Sequence, residues 1–269
     1  MPRSIWSGVI SFGVVSIPVK LYPATKSKDI SFNLLHKTCG TRLKQLRWCP
    51  YHETSVEWEE VARGYEYNKD QYIVLTDEDF EKLPLPSKRV IELSAFVRSD
   101  EIDPVYYEKS YYLEPAPEAL KPFALLLRVL EERGLVGIAK VAIRNKEHLC
   151  ALRPRDSNLM LETLFYEDEV RVEKTELGEM KVTDREMQMA ATLVDVLTEP
   201  FKPEEYQDEY RVALTELIEA KREGKEIVEA PVPAGAPVID LMSALRESVE
   251  AARRRREERS KREERRGAA

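Results

Sequence analysis

A chain of 269 residues with a net charge of −7, 43% hydrophobic and 34% charged, can bury a substantial core as one large domain or one domain with an appendage. No apolar run approaches the ~20 residues that span a bilayer, and the opening Met1-Pro2-Arg3-Ser4 lacks the apolar core of a signal peptide, so a cytoplasmic protein without a membrane partner is expected. The three cysteines are an odd count, which argues against a disulfide framework.

Ile5 to Tyr22 reads as two short strands around Gly13, with Ile17, Val19 and Leu21 alternating with Ser16, Pro18 and Lys20. Pro18 suggests a sheet edge or a bulge. Phe32 to Leu35 reads as another apolar strand. Next comes the densest chemical signal, His36-x2-Cys39 and Cys49-x2-His52, two pairs separated by nine residues. Two such pairs offer four nitrogen and sulfur donors in the number and type a structural zinc takes. The competing reading makes Cys39 and Cys49 small buried hydrophobes and both histidines surface residues. Arg42, Lys44 and Arg47 lie between the pairs with Trp48 adjacent, a mixture that suits phosphate contact and stacking and equally suits an exposed rim. Tyr65 to Leu75 reads as one strand with aromatic content, and Thr76 as the N-cap of a short helix through Lys82. Val90 to Val97 and Tyr106 to Leu113 are strands, joined through acidic Asp100, Glu101 and Asp103.

Pro115 to Arg133 is the clearest helix. Pro117 stands near its start, Gly134 follows its end, and Phe123, Leu126, Leu127 and Leu130 form one apolar stripe. Gly137 to Arg155 then reads as two strands around a polar turn at Asn145-Lys146-Glu147. Ala139, Val141 and Ile143 point to one side and Lys140, Ala142, Arg144 and Lys146 to the other, so a core face would be backed by a row of cations. Such a row can touch phosphates without reading bases, or be an ordinary solvated face. Leu149 to Leu152 returns into Arg153-Pro154-Arg155. Leu159 to Tyr166 is a strand, Thr183-Asp-Arg-Glu186 a capping box opening a helix, and Glu204 to Arg222 another helix.

Ala230 to Pro237 is a Pro-rich linker. Val238 to Val249 follows as a short amphipathic helix with Leu241, Met242, Leu245 and Val249 on one side, too small to bury its own apolar face. From Arg253 to Arg266 there are nine Lys/Arg and four Glu, net +5, which leaves −12 on the rest. An acidic body still binds DNA where its cations line one surface, because charges are screened beyond ~10 Å. No P-loop, GxGxxG or Gly-x-Ser-x-Gly occurs, and His148 has no evident nucleophile beside it. No enzyme is expected.

Five stretches in order resemble the bacterial Ku family, the DNA end-binding proteins of non-homologous end joining: Arg3-Ser-Ile-Trp-Ser-Gly-Val-Ile-Ser-Phe-Gly13 with Ser16-Ile-Pro-Val-Lys-Leu-Tyr-Pro23; Gly64-Tyr-Glu-Tyr67 through Tyr72-Ile-Val-Leu-Thr76; Asp103-Pro104 with Tyr111-Tyr-Leu-Glu-Pro115; the Gly137–Arg155 hairpin; and Asp240-Leu-Met-Ser-Ala-Leu245. The resemblance implies a mixed, β-rich α/β fold: a Ku-core β-barrel with a helical arm over residues 1–229, then linker, helix and basic tail over 230–269. It implies a homodimeric ring that threads double-stranded DNA ends without sequence preference. The cations it suggests as channel lining are Lys20, Arg42, Lys44, Arg47, Lys140, Arg144, Lys146, Arg153 and Arg155. It further implies recruitment of an ATP-dependent DNA ligase through Leu241, Met242 and Leu245, and a nucleoid-associated location in the cytoplasm. No cofactor is required, with a structural zinc on His36, Cys39, Cys49 and His52 as the one candidate; the family often has Cys-Pro-x-Cys here, so His52 stands in for a cysteine. Two other classes fit the residues. A zinc-ribbon nucleic-acid-binding regulator would bind closed circles or RNA, and a protein-only scaffold would show no salt-dependent DNA affinity once the tail is removed.

Overall fold

A computed structural model of the chain describes residues 3–83, 87, 89–143, 146–171, 173, 175, 178, 181–224 and 241–267, with side chains described up to residue 258. It divides into two compact units, Met1–Glu173 and Lys174–Ala269. In chain order the first carries β1 (Trp6–Phe12), β2 (Val15–Pro23), β3 (Trp48–Cys49), β4 (Thr54–Ser55), β5 (Arg63–Asn68), β6 (Gln71–Leu75), α1 (Asp77–Glu81), β7 (Val90–Arg98), β8 (Tyr107–Pro115), α2 (Leu120–Arg133), β9 (Leu135–Ile143), β10 (Lys146–Arg155) and β11 (Asn158–Leu164).

Seven strands close into a barrel in the order β1-β2-β8-β11-β10-β9-β7, and the seam between β1 and β7 is its one parallel pair. Closure removes the open sheet edges that would invite pairing with another chain. Period-two alternation sends Ile10, Ile17, Val19, Leu21, Ile91, Leu113, Ala139, Val141, Cys150, Leu152, Leu159 and Leu161 into a single core. The stripe of α2 (Phe123, Leu126, Leu127, Leu130) joins that same core. This helix packs against β2 on one side and β9 and β10 on the other. These strands lie on opposite walls, so α2 lies across an end of the barrel. Gly134 ends it in the left-handed conformation at φ +62°.

One glycine of the first resemblance stretch has a clear packing role. A Cβ on Gly8 would stand 2.3 Å from the Trp6 indole and 2.4 Å from the Arg89 carbonyl oxygen. That carbonyl also accepts the Val9 amide at 2.9 Å. Gly8 lets the indole lie over the strand right beside the parallel seam.

The second unit holds α3 (Asp184–Leu197), α4 (Glu209–Arg222) and α5 (Leu241–Gly267). Thr183 and Glu186 cap α3 reciprocally. Helix α5 packs on α3, burying Val249 and Ala252, and Arg256 Nη1 donates to the Val196 carbonyl at 3.5 Å, near the negative end of the α3 dipole.

The structure departs from the sequence reading at several points. Phe32 to Leu35 is not a strand; its ordered pairing is the single bridge Leu35–Arg42. Tyr65 to Leu75 is a hairpin, because Asp70 takes φ +59° and turns the chain between β5 and β6. Pro18 is not on an edge but lies just where β8 stops pairing with β2, at Val19–Pro115, so its missing N–H interrupts no ladder. The short C-terminal helix runs on through the basic tail as far as Gly267, since Arg, Glu and Ala are good helix formers. The Pro-rich linker at 230–237 lies outside the described residues.

Candidate nucleic-acid interface

The central hairpin delivers its alternation but not its whole cationic row. Ala139, Val141 and Ile143 are buried and Lys140 is exposed on the other side. Strand β9 ends at Ile143, however, and Lys146 opens β10 in register with Ile143. Paired residues share a face, so Lys146 sits on the Ile143 side rather than beside Lys140, and Lys146 and Glu147 belong to β10 rather than to the turn expected over Asn145-Lys146-Glu147. Arg144 lies outside the described residues.

The described cations of the hairpin each face a carboxylate. Lys140 pairs with Glu147 at 3.5 Å; Glu147 also accepts from the Ser87 hydroxyl. Lys146 reaches Glu169 at 2.8 Å, and this contact, with the Tyr166 amide, holds the Glu169 carboxyl below its ordinary range. Arg155 pairs with its neighbour Asp156 at 3.2 Å. Arg153 is different in kind. Its guanidinium meets Glu162 at 2.6 and 2.8 Å, and the Glu162 side chain is 4% exposed. A buried carboxylate needs that partner, so Arg153 is committed to the barrel wall. Lys20 is exposed on β2 in register with Glu114, which also takes the Tyr22 hydroxyl and so raises its pKa.

Residues 24–89, between β2 and β7, form an arm with a contrasting character. From Lys26 to Arg47 it carries six Lys/Arg and one Asp, and from Glu53 to Lys82 ten Asp/Glu and three Lys/Arg. Lys26, Lys28, Lys37, Arg42, Lys44 and Arg47 are all exposed; none forms an ion pair with a described residue. Arg42 and Lys44 line a groove of about 690 Å³ together with Phe32, Leu34, Leu43 and Leu46. Arg47 lies 4.2 Å over the Trp58 ring. The arm exposes Phe32, Trp48, Tyr51, Trp58, Tyr65, Tyr67 and Tyr72. Lys26 and Lys28 belong to no motif and Lys37 is a spacer within the His36–Cys39 pair, so the signal that finds them is a running count of charge over 26–47.

Each cysteine lies against the histidine of its own pair. His36 Nδ1 lies 3.0 Å from Cys39 Sγ, and Cys49 Sγ 3.5 Å from His52 Nδ1. The His36–Thr41 turn is closed by backbone bonds from Gly40 to His36 and from His36 to Thr41, both 2.8 Å. Hydrogen bonding from Thr41, side chain and backbone, and from His36 lowers the Cys39 thiol to about 7. Cys39 is exposed and Cys49 half-buried, so neither is a core hydrophobe. Among the described residues no three His, Cys, Asp or Glu side chains come together as a metal-holding group.

In α5, Leu241 is exposed while Met242 and Leu245 are half-buried, on the helix that packs against α3. No described helix is long and apolar enough to cross a membrane.

A closed seven-stranded barrel plugged by a helix, with a long charged arm inserted between its second and seventh strands, defines the class: a β-barrel protein that carries its exposed chemistry on an excursion from the barrel. The family model for the Ku70/Ku80 beta-barrel domain matches residues 11–189. Proteins named non-homologous end joining protein Ku are similar along most of the chain. That of Symbiobacterium thermophilum is 46% identical over 94% of this chain, which spans 64% of that relative's length. That of Desulfitobacterium hafniense is 42% identical over 92% of this chain and 87% of its own, and that of Heliobacterium modesticaldum 42% identical over 98% of each. The chain belongs to the Ku family.

Proposed function

We propose that this protein binds double-stranded DNA ends in non-homologous end joining. In this reading it acts as a ring-shaped homodimer without sequence preference, in the cytoplasm beside the nucleoid, as a binding protein rather than an enzyme. The observation that carries the reading is the basic half of the arm: six exposed cations with no ion pair among the described residues. Unpaired Lys and Arg attract phosphates at no cost in broken ion pairs, and phosphate contacts position a duplex without reading it. The selected barrel cations whose side chains are described are engaged or faced by carboxylates, so the arm ranks first as the duplex contact. Arg42, Lys44 and Arg47 are its central residues, joined by Lys26, Lys28 and Lys37. A ring that must be threaded selects ends by topology. Family membership supports the end-joining role, and the apolar face of α5, through Leu241, Met242 and Leu245, is proposed to recruit an ATP-dependent DNA ligase.

The test compares one DNA sequence in linear and covalently closed circular form at the same moderate salt. Binding to the linear form alone, lost when bulky groups block both ends, is expected. Equal binding to both forms would remove the threaded ring.

A further inference from the structure

Duplex phosphates account for the cations of the arm but not for its aromatic rings. Trp48 and Trp58 are 59% and 64% exposed, and Tyr51 is 87% exposed. All three lie on or beside the small β3–β4 hairpin, where Trp48 is paired with Ser55 and the Val56 amide donates to the Arg47 carbonyl at 2.8 Å. Exposed indoles on a hairpin this small have no core to join and mark a surface built for a partner. The partner's chemistry follows from the surroundings. The guanidinium of Arg47 is stacked on one indole, the arrangement that also receives a base plane. The basic run Lys37 to Arg47 leads into the hairpin, and the groove lined by Phe32 and Leu43 is also lined by the cations Arg42 and Lys44. Beyond the hairpin the charge reverses: Trp58 stands among Glu57, Glu59 and Glu60. Carboxylates there repel a second run of phosphates and leave neutral flat groups as the fitting contact. A cationic rail followed by aromatic shelves with an acidic far side matches a single strand, phosphates on the rail and bases on the shelves. Both strands of an intact duplex keep their bases stacked inside and cannot use the shelves.

We propose that the β3–β4 hairpin is a binding site for unpaired nucleobases: Trp48 and Trp58, with Tyr51 beside them, stack on bases of a single-stranded overhang while Arg42, Lys44 and Arg47 hold its phosphates. The proposal rests on the reading that the arm faces DNA. It adds that the protein grips frayed or overhanging ends through their bases.

The full chain is titrated with three labelled hairpin DNAs that share one duplex: blunt, with a 3′ overhang of five thymidines, and with an overhang of five abasic sites. The two overhangs carry the same phosphates. Stacking of even one or two bases predicts that the thymidine overhang binds about tenfold tighter than the abasic one, with quenching of indole fluorescence that the abasic overhang does not cause. Trp48→Ala with Trp58→Ala should bring thymidine affinity down to the abasic level while the blunt duplex is still bound, weakened by no more than the loss of the ring under Arg47 brings, and Trp48→Phe with Trp58→Phe, which keeps a flat ring, should retain most of the preference. Equal affinity of wild type for thymidine and abasic overhangs, with the blunt duplex still bound, overturns the stacking site alone. Failure to bind any duplex end would instead remove the end-binding reading.

Discussion

At the scale of the residue, Arg153 shows how a cation chosen for DNA turns out to serve the fold. Its guanidinium holds a carboxylate, Glu162, that is almost fully enclosed. Removing one partner of a buried pair strands the other's charge away from water. Arg153→Ala is therefore expected to lower stability by about 3 kcal/mol, read as a fall in the urea midpoint at unchanged slope; a loss below about 0.5 kcal/mol would mean that Arg153 is free for phosphate after all. His148 gives a pH prediction. Burial lowers its pKa from 6.5 against the opposing pull of Glu108 at 3.5 Å, with Lys146 and Lys109 lowering it further and Glu169 raising it slightly. Below pH 6.5 the unfolded chain takes up this proton more readily than the folded one, so stability falls as pH drops through that value and the folded pKa beneath it. Between pH 7.5 and 5.5, above most carboxylate titrations, His148→Gln should lose less stability than wild type. An identical pH dependence in both would show that His148 stays solvated.

Elements sort the cations better than motifs do. The β9–β10 hairpin alternates along β9 as its sequence implies, yet its lysines sit opposite carboxylates, Glu147 of β10 itself and Glu169 just after the barrel. The basic half of the arm, residues 26–47, holds no strand beyond the Leu35–Arg42 bridge, and its cations meet no carboxylate among the described residues. The triple change Arg42→Ala, Lys44→Ala, Arg47→Ala should reduce the slope of log affinity against log salt by roughly 2–3, about 0.9 for each lost phosphate contact. The double change Lys140→Ala, Lys146→Ala should leave the slope nearly as it was. The reverse ranking in titrations of linear duplex from low to moderate salt would return the contact to the barrel.

The molecule as a whole leaves apolar surface uncovered on its helical unit. Neither α3 nor α4 fully buries a side chain, and Met187, Val194, Leu197, Tyr210, Val212 and Ile218 remain exposed. Amphipathic helices of 14 residues gain most of their stability from burying such faces. A second copy of the chain is the cover proposed with the ring, and self-association in closed pairs is the commonest solution for such surfaces. Light scattering at micromolar concentration should give twice the 31.1 kDa chain mass. A single-chain mass would leave these faces to another partner.

Local information was enough for much of this protein. The alternation of Ile17, Val19 and Leu21, the Gly13 and Gly134 turns, the Thr76 and Thr183 caps and the stripe of α2 are all set by neighbours within a few residues, where period, propensity and side-chain capping act, and each appears where the sequence places it. The same holds for the small distances inside each His–Cys pair. Barrel closure, by contrast, depends on the parallel β1–β7 seam between segments some 80 residues apart, which no local pattern encodes. Which cations keep their charge available was also decided there. Glu162 lies nine residues from Arg153 and Glu169 lies 23 residues from Lys146, so only the register of the strands and the path of the chain after β11 bring those carboxylates against the cations and leave the arm's own cations free of ion pairs among the described residues.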